Sequence, residues 1–258
     1  MQTEDYEYLY ALEEDFWWFA GMREITAVLL DPLLFPSAPK DRLILDAGCG
    51  TGGMLTWLKR YAGRGEVVGI DFVSDPLRFC RAREHQSLAQ ASATHLPFLD
   101  SVFDLVTSFD VLVQLPGERA DEHAIGEMYR VLKPGGIVFV RGAAYEWMRS
   151  GHDEALSTQR RYQLSVLTER MVSAGFRPLR ATYANALLLP VAALRRLVLK
   201  RIGLADSGSD VKPLPPQLRW LNRALTKTLQ SEARILKNPE SKLRAGLSAI
   251  CIAQKPQD

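Results

Sequence analysis

The chain has 258 residues, of which 47% are hydrophobic, and a formal net charge of +2. This length suits one α/β domain with added segments, and the balanced charge gives no indication of nucleic acid as a partner. The three cysteines (Cys49, Cys80 and Cys251) exclude a fully paired disulfide framework and form no Cys-x-x-Cys zinc pattern. No apolar run approaches the roughly 20 residues of a transmembrane helix, and the acidic N-terminus is not a signal peptide. We therefore expect a cytoplasmic protein without a metal site.

The N-terminal segment combines acidic and aromatic residues. Aromatic and apolar side chains recur at helical spacing over residues 4–20, which predicts one amphipathic helix. A second helix, over about 22–30, is expected to end at Asp31-Pro32, because proline disfavours continuation. The aromatic face either docks on the core or covers a bound ligand. In the second interpretation residues 1–40 form a helical lid, and the candidate substrate contacts in it are Tyr6, Trp17 and Trp18.

A glycine-dense turn follows the first predicted strand. Leu43-Ile44-Leu45 is typical of a buried strand, and a helix is predicted over 53–62. Glycines between a strand and a helix let the backbone bend tightly and approach a ligand, which then meets the N–H groups of the helix N-terminus. Gly48-x-Gly50-x-x-Gly53, with Asp71 further along, also satisfies the dinucleotide-binding pattern. A nicotinamide-dependent oxidoreductase therefore stays open here, as does a turn that binds no ligand.

Strands and helices alternate from this turn onward. The predicted strands cover 42–46, 66–71, 88–92, 103–108 and 137–142, and the predicted helices cover 53–62, 75–85, 118–131 and 165–174. Such alternation predicts βαβ units in a parallel sheet with right-handed crossovers. The glycine turn lies at the carboxyl end of the first strand, where open α/β sheets bind their ligands.

Four ordered motifs carry a family resemblance. Asp46 directly precedes the glycines, and the run Asp-Ala-Gly-Cys-Gly-Thr-Gly resembles motif I of class I S-adenosylmethionine (SAM)-dependent methyltransferases. Three later stretches resemble the family's second strand, its fourth strand with the loop before it, and the turn into its fifth strand: Val67–Phe72, Leu96–Val106 and Arg130–Gly136. The resemblance covers about residues 40–184 and the last strand. It implies a Rossmann-like, seven-stranded, mostly parallel sheet, in which an antiparallel last strand (247–253) inserts between the fifth and the sixth (176–184).

The same resemblance implies SAM as the cofactor and assigns roles by position. Gly48, Gly50 and Gly52 would line the methionine moiety, with Asp46 near its ammonium group. Asp71 would accept hydrogen bonds from both ribose hydroxyls. Phe72 would pack on adenine, beside Ser92 and Ala93, where many relatives carry an aspartate. Phe109 would flank the methyl-transfer site, as would Gln114, which stands where relatives often carry a histidine.

Residues 185–243 exceed the minimal family core. They are too many for a hairpin loop, and we interpret them as an inserted helical cap between the core at 41–184 and the final strand at 244–258. An apolar stretch ends in Arg195 and Arg196, and a second amphipathic helix is predicted over 218–236. The stretch 186–204 is either a packed helix with a solvated face or a weak contact with a membrane surface.

The acceptor side is less defined by the sequence. His152, in a loop after the fifth strand, either acts as a base or satisfies a backbone group. Arg161 and Tyr162 either hold an anionic acceptor or belong to surface ion pairs, and Tyr145 would join Tyr6, Trp17 and Trp18 in an aromatic wall. The segment around His152 looks like that of a bacterial small-molecule methyltransferase subgroup of unsettled substrate.

We therefore predict in-line methyl transfer to the oxygen, nitrogen or carbon of an aromatic, glycan or lipid-like small molecule. A SAM-binding protein with a non-methylating role and a nicotinamide-dependent oxidoreductase are the alternatives. We expect no nucleic acid partner, and the sequence leaves the oligomeric state open.

Overall fold

One seven-stranded sheet organises the computed structural model, which describes residues 3–35, 40–201, 215 and 218–257. Its strands are β1 (Leu43–Ala47), β2 (Glu66–Asp71), β3 (Leu88–Gln90), β4 (Phe103–Phe109), β5 (Leu132–Ala143), β6 (Arg177–Ala184) and β7 (Ser248–Gln254). The order is β3-β2-β1-β4-β5-β7-β6. Strands β1 to β5 pair in parallel, and β7 pairs antiparallel with both β5 and β6. The predicted Rossmann-like sheet with its inserted antiparallel last strand is confirmed.

Helices cover both faces of the sheet. They are α1 (Thr3–Leu12), α2 (Trp17–Leu34), α3 (Gly53–Ala62), α4 (Ser74–Ala82), α5 (Ala120–Val131), α6 (Gly151–Ala155), α7 (Leu164–Ser173), α8 (Leu189–Arg201) and α9 (Arg219–Leu236). One buried cluster packs α5 and α7 on one face, through residues such as Met128 and Met171. The other packs α2, α3 and α9 on the opposite face, through residues such as Leu30, Leu58 and Leu229. Each helix thus buries one apolar stripe against the sheet or a neighbouring helix.

The N-terminal segment differs from the prediction in two ways. The single helix expected over 4–20 is two helices, because α1 ends at Leu12 and Phe16 is extended (φ −70°, ψ 134°) and buried before α2 begins. Helix α2 also continues through Pro32 to Leu34. A proline so close to the end removes little of the backbone ladder: the Phe35 N–H still donates to the Asp31 carbonyl at 2.9 Å.

The second predicted insertion helix, α9, packs along α2. Gly21 of α2 lies directly against the Leu229 side chain, so the two backbones approach closely. The Asn222 side chain accepts a hydrogen bond from the Trp17 backbone N–H at 2.8 Å and donates one to the Asp15 carbonyl at 2.9 Å. The N-terminal segment and the cap are therefore attached to each other as well as to the sheet.

Two further findings apply to the described part of the chain. None of its helices is long and apolar enough to cross a membrane, and none of its His, Cys, Asp and Glu side chains form a group of three or more that could hold a metal ion. The three cysteines are buried thiols, and the sulfur atoms of Cys49 and Cys80 lie 3.9 Å apart.

The Gly21–Leu229 contact predicts a stability effect. A Cβ atom at Gly21 would lie 2.4 Å from Leu229 Cδ1 and 2.5 Å from Leu229 Cβ. We expect Gly21→Ala to lower the free energy of unfolding by about 1–3 kcal/mol, because α9 must shift away from α2. The matched control is Gly126→Ala on α5, where a Cβ meets nothing within 4 Å and the variant should gain about 0.5–1 kcal/mol. Urea unfolding followed by circular dichroism measures both, and equal effects would contradict the packing.

Candidate active site

A cavity of about 1750 Å³ lies at the carboxyl ends of β1, β2 and β4. It is bounded by the glycine turn, by α1 and α2, by the segments after β4 and β5, and by α8 and α9. Most of the candidate residues from the sequence line this one cavity: Tyr6, Trp17, Trp18, Asp46, Gly48, Gly50, Asp71, Phe72, Ser92, Ala93, Phe109, Gln114 and Arg161. The fold thus brings together residues that are up to 155 positions apart in the sequence.

The glycine turn is left-handed at three positions. Gly48, Gly50 and Gly52 have φ angles of +100°, +52° and +89°, which side chains other than glycine rarely adopt. Gly48 also approaches Val111 so closely that a Cβ would lie 2.1 Å from its Cγ2, whereas a Cβ on Gly50 would enter open space. Gly52 is buried beside Cys80 and does not line the cavity. Gly52 is the residue before α3, and its left-handed conformation serves the start of that helix. Its contact with a ligand stays a prediction.

Asp71 is held in a fixed orientation at the end of β2. Its Oδ2 accepts a hydrogen bond from the Gly50 N–H and its Oδ1 accepts one from the Val73 N–H, both at 3.0 Å. Burial raises its pKa above the usual value, against the effect of these backbone bonds. Each carboxylate oxygen can accept a further hydrogen bond. Phe72 lies next to it at the cavity rim, and its ring is 74% exposed.

Ser92 and Thr94 form a hydroxyl pair in the cavity wall. Ser92 Oγ lies 2.8 Å from Thr94 Oγ1 and also accepts from the Thr94 N–H at 3.2 Å. The Ser92 hydroxyl is therefore already engaged within its own turn. Ala93 beside it is buried and contributes apolar surface to the cavity.

Asp46 is a buried carboxyl at the end of β1. Its side chain accepts a hydrogen bond from Thr107 Oγ1 at 2.8 Å. Burial raises its pKa to about 7, although the Thr107 hydrogen bond and the charge of Arg141 act in the opposite direction. A carboxyl in this state can gain a full negative charge when a cation binds next to it.

Glu13 is a cavity residue that the sequence analysis missed. Its Oε2 accepts a hydrogen bond from the Gly53 N–H, at the first residue of α3, at 3.0 Å, and pairs with Arg83 at 3.2 Å. Burial raises its pKa. It belongs to an acidic run that is typical of a solvated helix face, so no local pattern distinguishes it.

Arg141 is the second missed residue. Its guanidinium donates to Asp110 Oδ2 from Nε at 2.8 Å and pairs through Nη2 at 2.7 Å. The same group lies 4.7 Å from the Trp18 ring and 5.1 Å from the Phe109 ring. The sequence contains one signal for its role, because Arg141 directly follows the apolar run 137–140. A charged side chain that is buried in a strand needs a partner of opposite charge.

Basic side chains gather at the end of the cavity nearest the cap. Arg161 forms a two-bond pair with Asp153, from Nε to Oδ1 at 2.7 Å and from Nη2 to Oδ2 at 3.0 Å. Burial acts to raise the pKa of Asp153, but the hydrogen bonds and charge of Arg161 outweigh it and hold that pKa below its usual value. Arg195 and Arg196 of α8 line the same region.

Two tyrosines predicted to contact substrate do not line the cavity. Tyr145 stacks between Trp147 and Tyr183, with ring centres 5.7 and 5.2 Å away. Tyr162 is buried in the core on the other side, where its hydroxyl donates to Asp121. Arg161 and Tyr162 are consecutive in extended backbone, so their side chains point in opposite directions. The expectation that Tyr145 and Tyr162 bind substrate is corrected.

The histidines differ from expectation as well. His152 is in α6, but its side chain lies outside the part of the chain that the structure describes. His123 of α5 lines the cavity. It is therefore a histidine candidate for proton transfer that periodicity alone did not reveal.

Comparisons with known proteins identify the domain. A family model described as "Methyltransferase domain" matches residues 45–140, from β1 into β5. Demethylmenaquinone methyltransferase of Lactiplantibacillus plantarum is 40% identical over 100 residues, which are 36% of this chain and 41% of that protein. The tRNA (carboxymethyluridine(34)-5-O)-methyltransferase of Arabidopsis thaliana is 33% identical over 126 residues, 48% of this chain and 28% of that protein. The chain thus spans less than half the length of these relatives.

Solved structures extend the similarity to the whole fold. A SAM-dependent methyltransferase of Thermotoga maritima has a TM-score of 0.59 and 18% sequence identity, and the match covers 98% of this chain and 95% of that chain. At this level of identity the likeness establishes the fold. Sequence and fold together support the resemblance to class I SAM-dependent methyltransferases.

The raised pKa of Asp46 predicts a pH-dependent stability. The carboxyl of Asp46 has a pKa of about 7 in the folded protein, which is above its pKa in the unfolded chain. Its contribution to the free energy of unfolding is therefore fully present below the unfolded pKa and is lost as the pH rises through 7. Relative to Asp46→Asn, which keeps an acceptor for Thr107, the parent protein should lose roughly 2–3 kcal/mol of unfolding free energy between pH 5 and pH 8. Urea unfolding of both proteins across this range measures it. Parallel pH profiles would show that Asp46 does not titrate there.

Proposed function

Residues 45–140 form a class I SAM-dependent methyltransferase domain, and from that premise we propose that the chain transfers the methyl group of SAM to a small-molecule acceptor in the same cavity. The observation that carries this proposal is that one cavity extends from the glycine turn to the cap. Its volume of about 1750 Å³ exceeds the ~300–1000 Å³ of a pocket for a single ligand. The cavity therefore has room for a cofactor at the glycine turn and an acceptor beside the cap.

The residues at the glycine turn fit this cofactor. SAM supplies a methyl group on a positively charged sulfur, with an ammonium group and a ribose on either side of it. The backbone at Gly50 is open to the cavity, and Asp71 presents oriented carboxylate oxygens for two ribose hydroxyls. Asp46 is a buried carboxyl with a raised pKa, which suits it to meet a cationic group. We assign cofactor binding to these residues.

The domain match disfavours the nicotinamide alternative. The methyltransferase model covers the glycine turn and Asp71, the residues that an oxidoreductase interpretation would need. A turnover measurement distinguishes a methyltransferase from a protein that binds SAM without transferring its methyl group.

The aromatic residues and the cap would prepare the acceptor for attack. Methyl transfer needs a nucleophile aligned in line with the methyl group and separated from bulk water. Trp17 and Trp18 of α2 and Phe109 contribute aromatic surface to this part of the cavity, and α8 and α9 contribute apolar residues such as Ala192 and Leu225. We propose that the N-terminal lid and the cap exclude water from the acceptor and decide which acceptor binds.

The charge pattern favours an acceptor with an apolar body and an anionic group. The cofactor end carries Asp46 and Asp71, whereas the cap end is lined by Arg195 and Arg196 beside the Arg161–Asp153 pair. Such a division suits a cation at one end and an anion at the other. The name of the Lactiplantibacillus relative indicates a small-molecule substrate for that protein, and the name of the Arabidopsis relative indicates a tRNA. A small molecule suits the enclosed aromatic and apolar walls better.

Asp71 provides the binding test. Asp71→Asn should weaken SAM binding about 10- to 100-fold, because one charge-assisted hydrogen bond becomes neutral and one oxygen becomes a donor. Asp71→Ala should abolish measurable binding. Asp75→Ala, on α4 and outside the cavity lining, removes the same charge close by and should leave the Kd unchanged. Calorimetry with SAM measures all three, and an unchanged Kd for Asp71→Ala would exclude this cofactor site.

Neighbouring alanines of α8 provide the turnover test. Ala192 lines the cavity and Ala193 does not, so Ala192→Phe fills acceptor space whereas Ala193→Phe is its matched control. The assay follows label from methyl-tritiated SAM into an extract of small molecules and, in parallel, into total tRNA. We expect label in the small-molecule fraction, reduced at least about tenfold by Ala192→Phe through lost steric fit, with the same SAM affinity in both variants. Label only in tRNA would contradict the acceptor class, and SAM binding without any labelled product would contradict methyl transfer.

A further inference from the structure

The two cap helices and the residues just before α8 expose several large apolar side chains. Leu187, just before α8, is 52% exposed, and Val191 and Leu194 of α8 are 66% and 65% exposed. Trp220, in the first turn of α9, is 65% exposed. We call these four residues the cap face. Val191 and Leu194 are three positions apart and so lie on one side of α8, and exposed apolar side chains grouped on one helix face indicate a binding surface.

Every charged residue in the stretch 186–204 and in α9 before Glu232 is basic. The stretch 186–204 contains four basic residues and no acidic one, although 202–204 lie outside the described residues. In α9 the first acidic residue is Glu232, which is buried, and three exposed cations precede it: Arg219, Arg223 and Lys227. Exposed leucine, valine and tryptophan beside arginine and lysine are the composition of a helix that lies in the interface of an anionic membrane.

The cap face also borders the cavity. Val191 is exposed and at the same time lines the cavity, as do Ala192 on the same helix and Leu188 just before it. The cavity therefore opens beside α8, between the exposed apolar side chains and the basic end of the site.

We propose that the cap face docks on the surface of an anionic lipid bilayer. The apolar side chains enter the interfacial region, and the surrounding cations bind the negative headgroups. The docking itself does not depend on the proposed function. Its consequence does: if the chain is a methyltransferase, docking places the cavity opening against the lipid, so that an amphiphilic acceptor enters beside Val191 without crossing water.

Vesicle flotation with the full chain tests the docking. We expect the protein to float with phosphatidylcholine vesicles that contain phosphatidylglycerol, to bind pure phosphatidylcholine vesicles much more weakly, and to lose binding as salt screens the cations. The double variant Leu194→Asp and Trp220→Asp should lower the partition coefficient at least about tenfold, because two apolar side chains no longer enter the interface. Arg219→Gln with Arg223→Gln should remove the preference for phosphatidylglycerol.

The matched control carries the same substitution on exposed apolar residues elsewhere. Leu99 precedes β4 and is 80% exposed, and Val172 on α7 is 52% exposed. Leu99→Asp with Val172→Asp should bind vesicles as the parent does. SAM affinity and the urea midpoint of every variant establish that its fold is intact.

Three results would overturn the docking. The first is that the parent protein does not float with phosphatidylglycerol vesicles. The second is that the cap-face variant and its control lose vesicle binding equally. The third is that the protein binds no vesicles but self-associates, and that Leu194→Asp abolishes the self-association, which would mean that the cap face is buried in a dimer. The two proposals fail separately. Flotation without labelled product would contradict methyl transfer alone, whereas labelled product without flotation would contradict docking alone.

Discussion

The structure depends on how the N–H groups of the left-handed glycine turn are satisfied. Backbone donors that are removed from water must be paired. The N–H groups of Gly48 and Gly52 donate to backbone carbonyls, and two carboxylates from outside the turn accept from the others: Asp71 at Gly50 and Glu13 at Gly53. Glu13 also pairs with Arg83, which in turn donates to the carbonyls of Thr51 and Tyr10. One small hydrogen-bonded network therefore holds the turn, the end of α1 and the residue after α4. The place of the N-terminal segment over the site follows from the same contacts that shape the cofactor end.

That network explains the electrostatics of the site. Asp46, Glu13 and Asp71 are all removed from water, and burial raises the pKa of each. Carboxyls in this condition attract a cation more strongly than exposed ones, because little solvent screens them. At the opposite end Asp153 has a lowered pKa since Arg161 accompanies it. The carboxyls at the cofactor end thus have raised pKa values, whereas the carboxyl at the cap end has a lowered one. The first condition suits a cationic ligand group, and the arginine beside the second suits an anionic one.

The sequence predicted what local chemistry determines. Positive φ angles require glycine at Gly48 and Gly50, an acid ends β2 at Asp71, and the alternation of strands and helices defines the sheet order once the family is recognised. It could not predict Glu13 or Arg141, whose roles come from contacts with residues distant in the chain. It misplaced Tyr145 and Tyr162 because side-chain direction depends on the local backbone. Tyr145 has a φ of +60°, and Tyr162 lies on the face of an extended segment opposite to Arg161.

The attachment of α9 to α2 sets the order in which the protein can form. The Asn222–Trp17 hydrogen bond joins residues 205 positions apart, and Leu229 covers Gly21 across a similar separation. During synthesis the apolar stripe of α2 leaves the ribosome early, but its helical partner emerges only after most of the chain has been made. Contacts of such long range form late because they close a large loop. A nascent chain therefore exposes the α9-facing side of α2 for most of its translation, and this side is the part of α2 that is open to non-native contacts until α9 arrives.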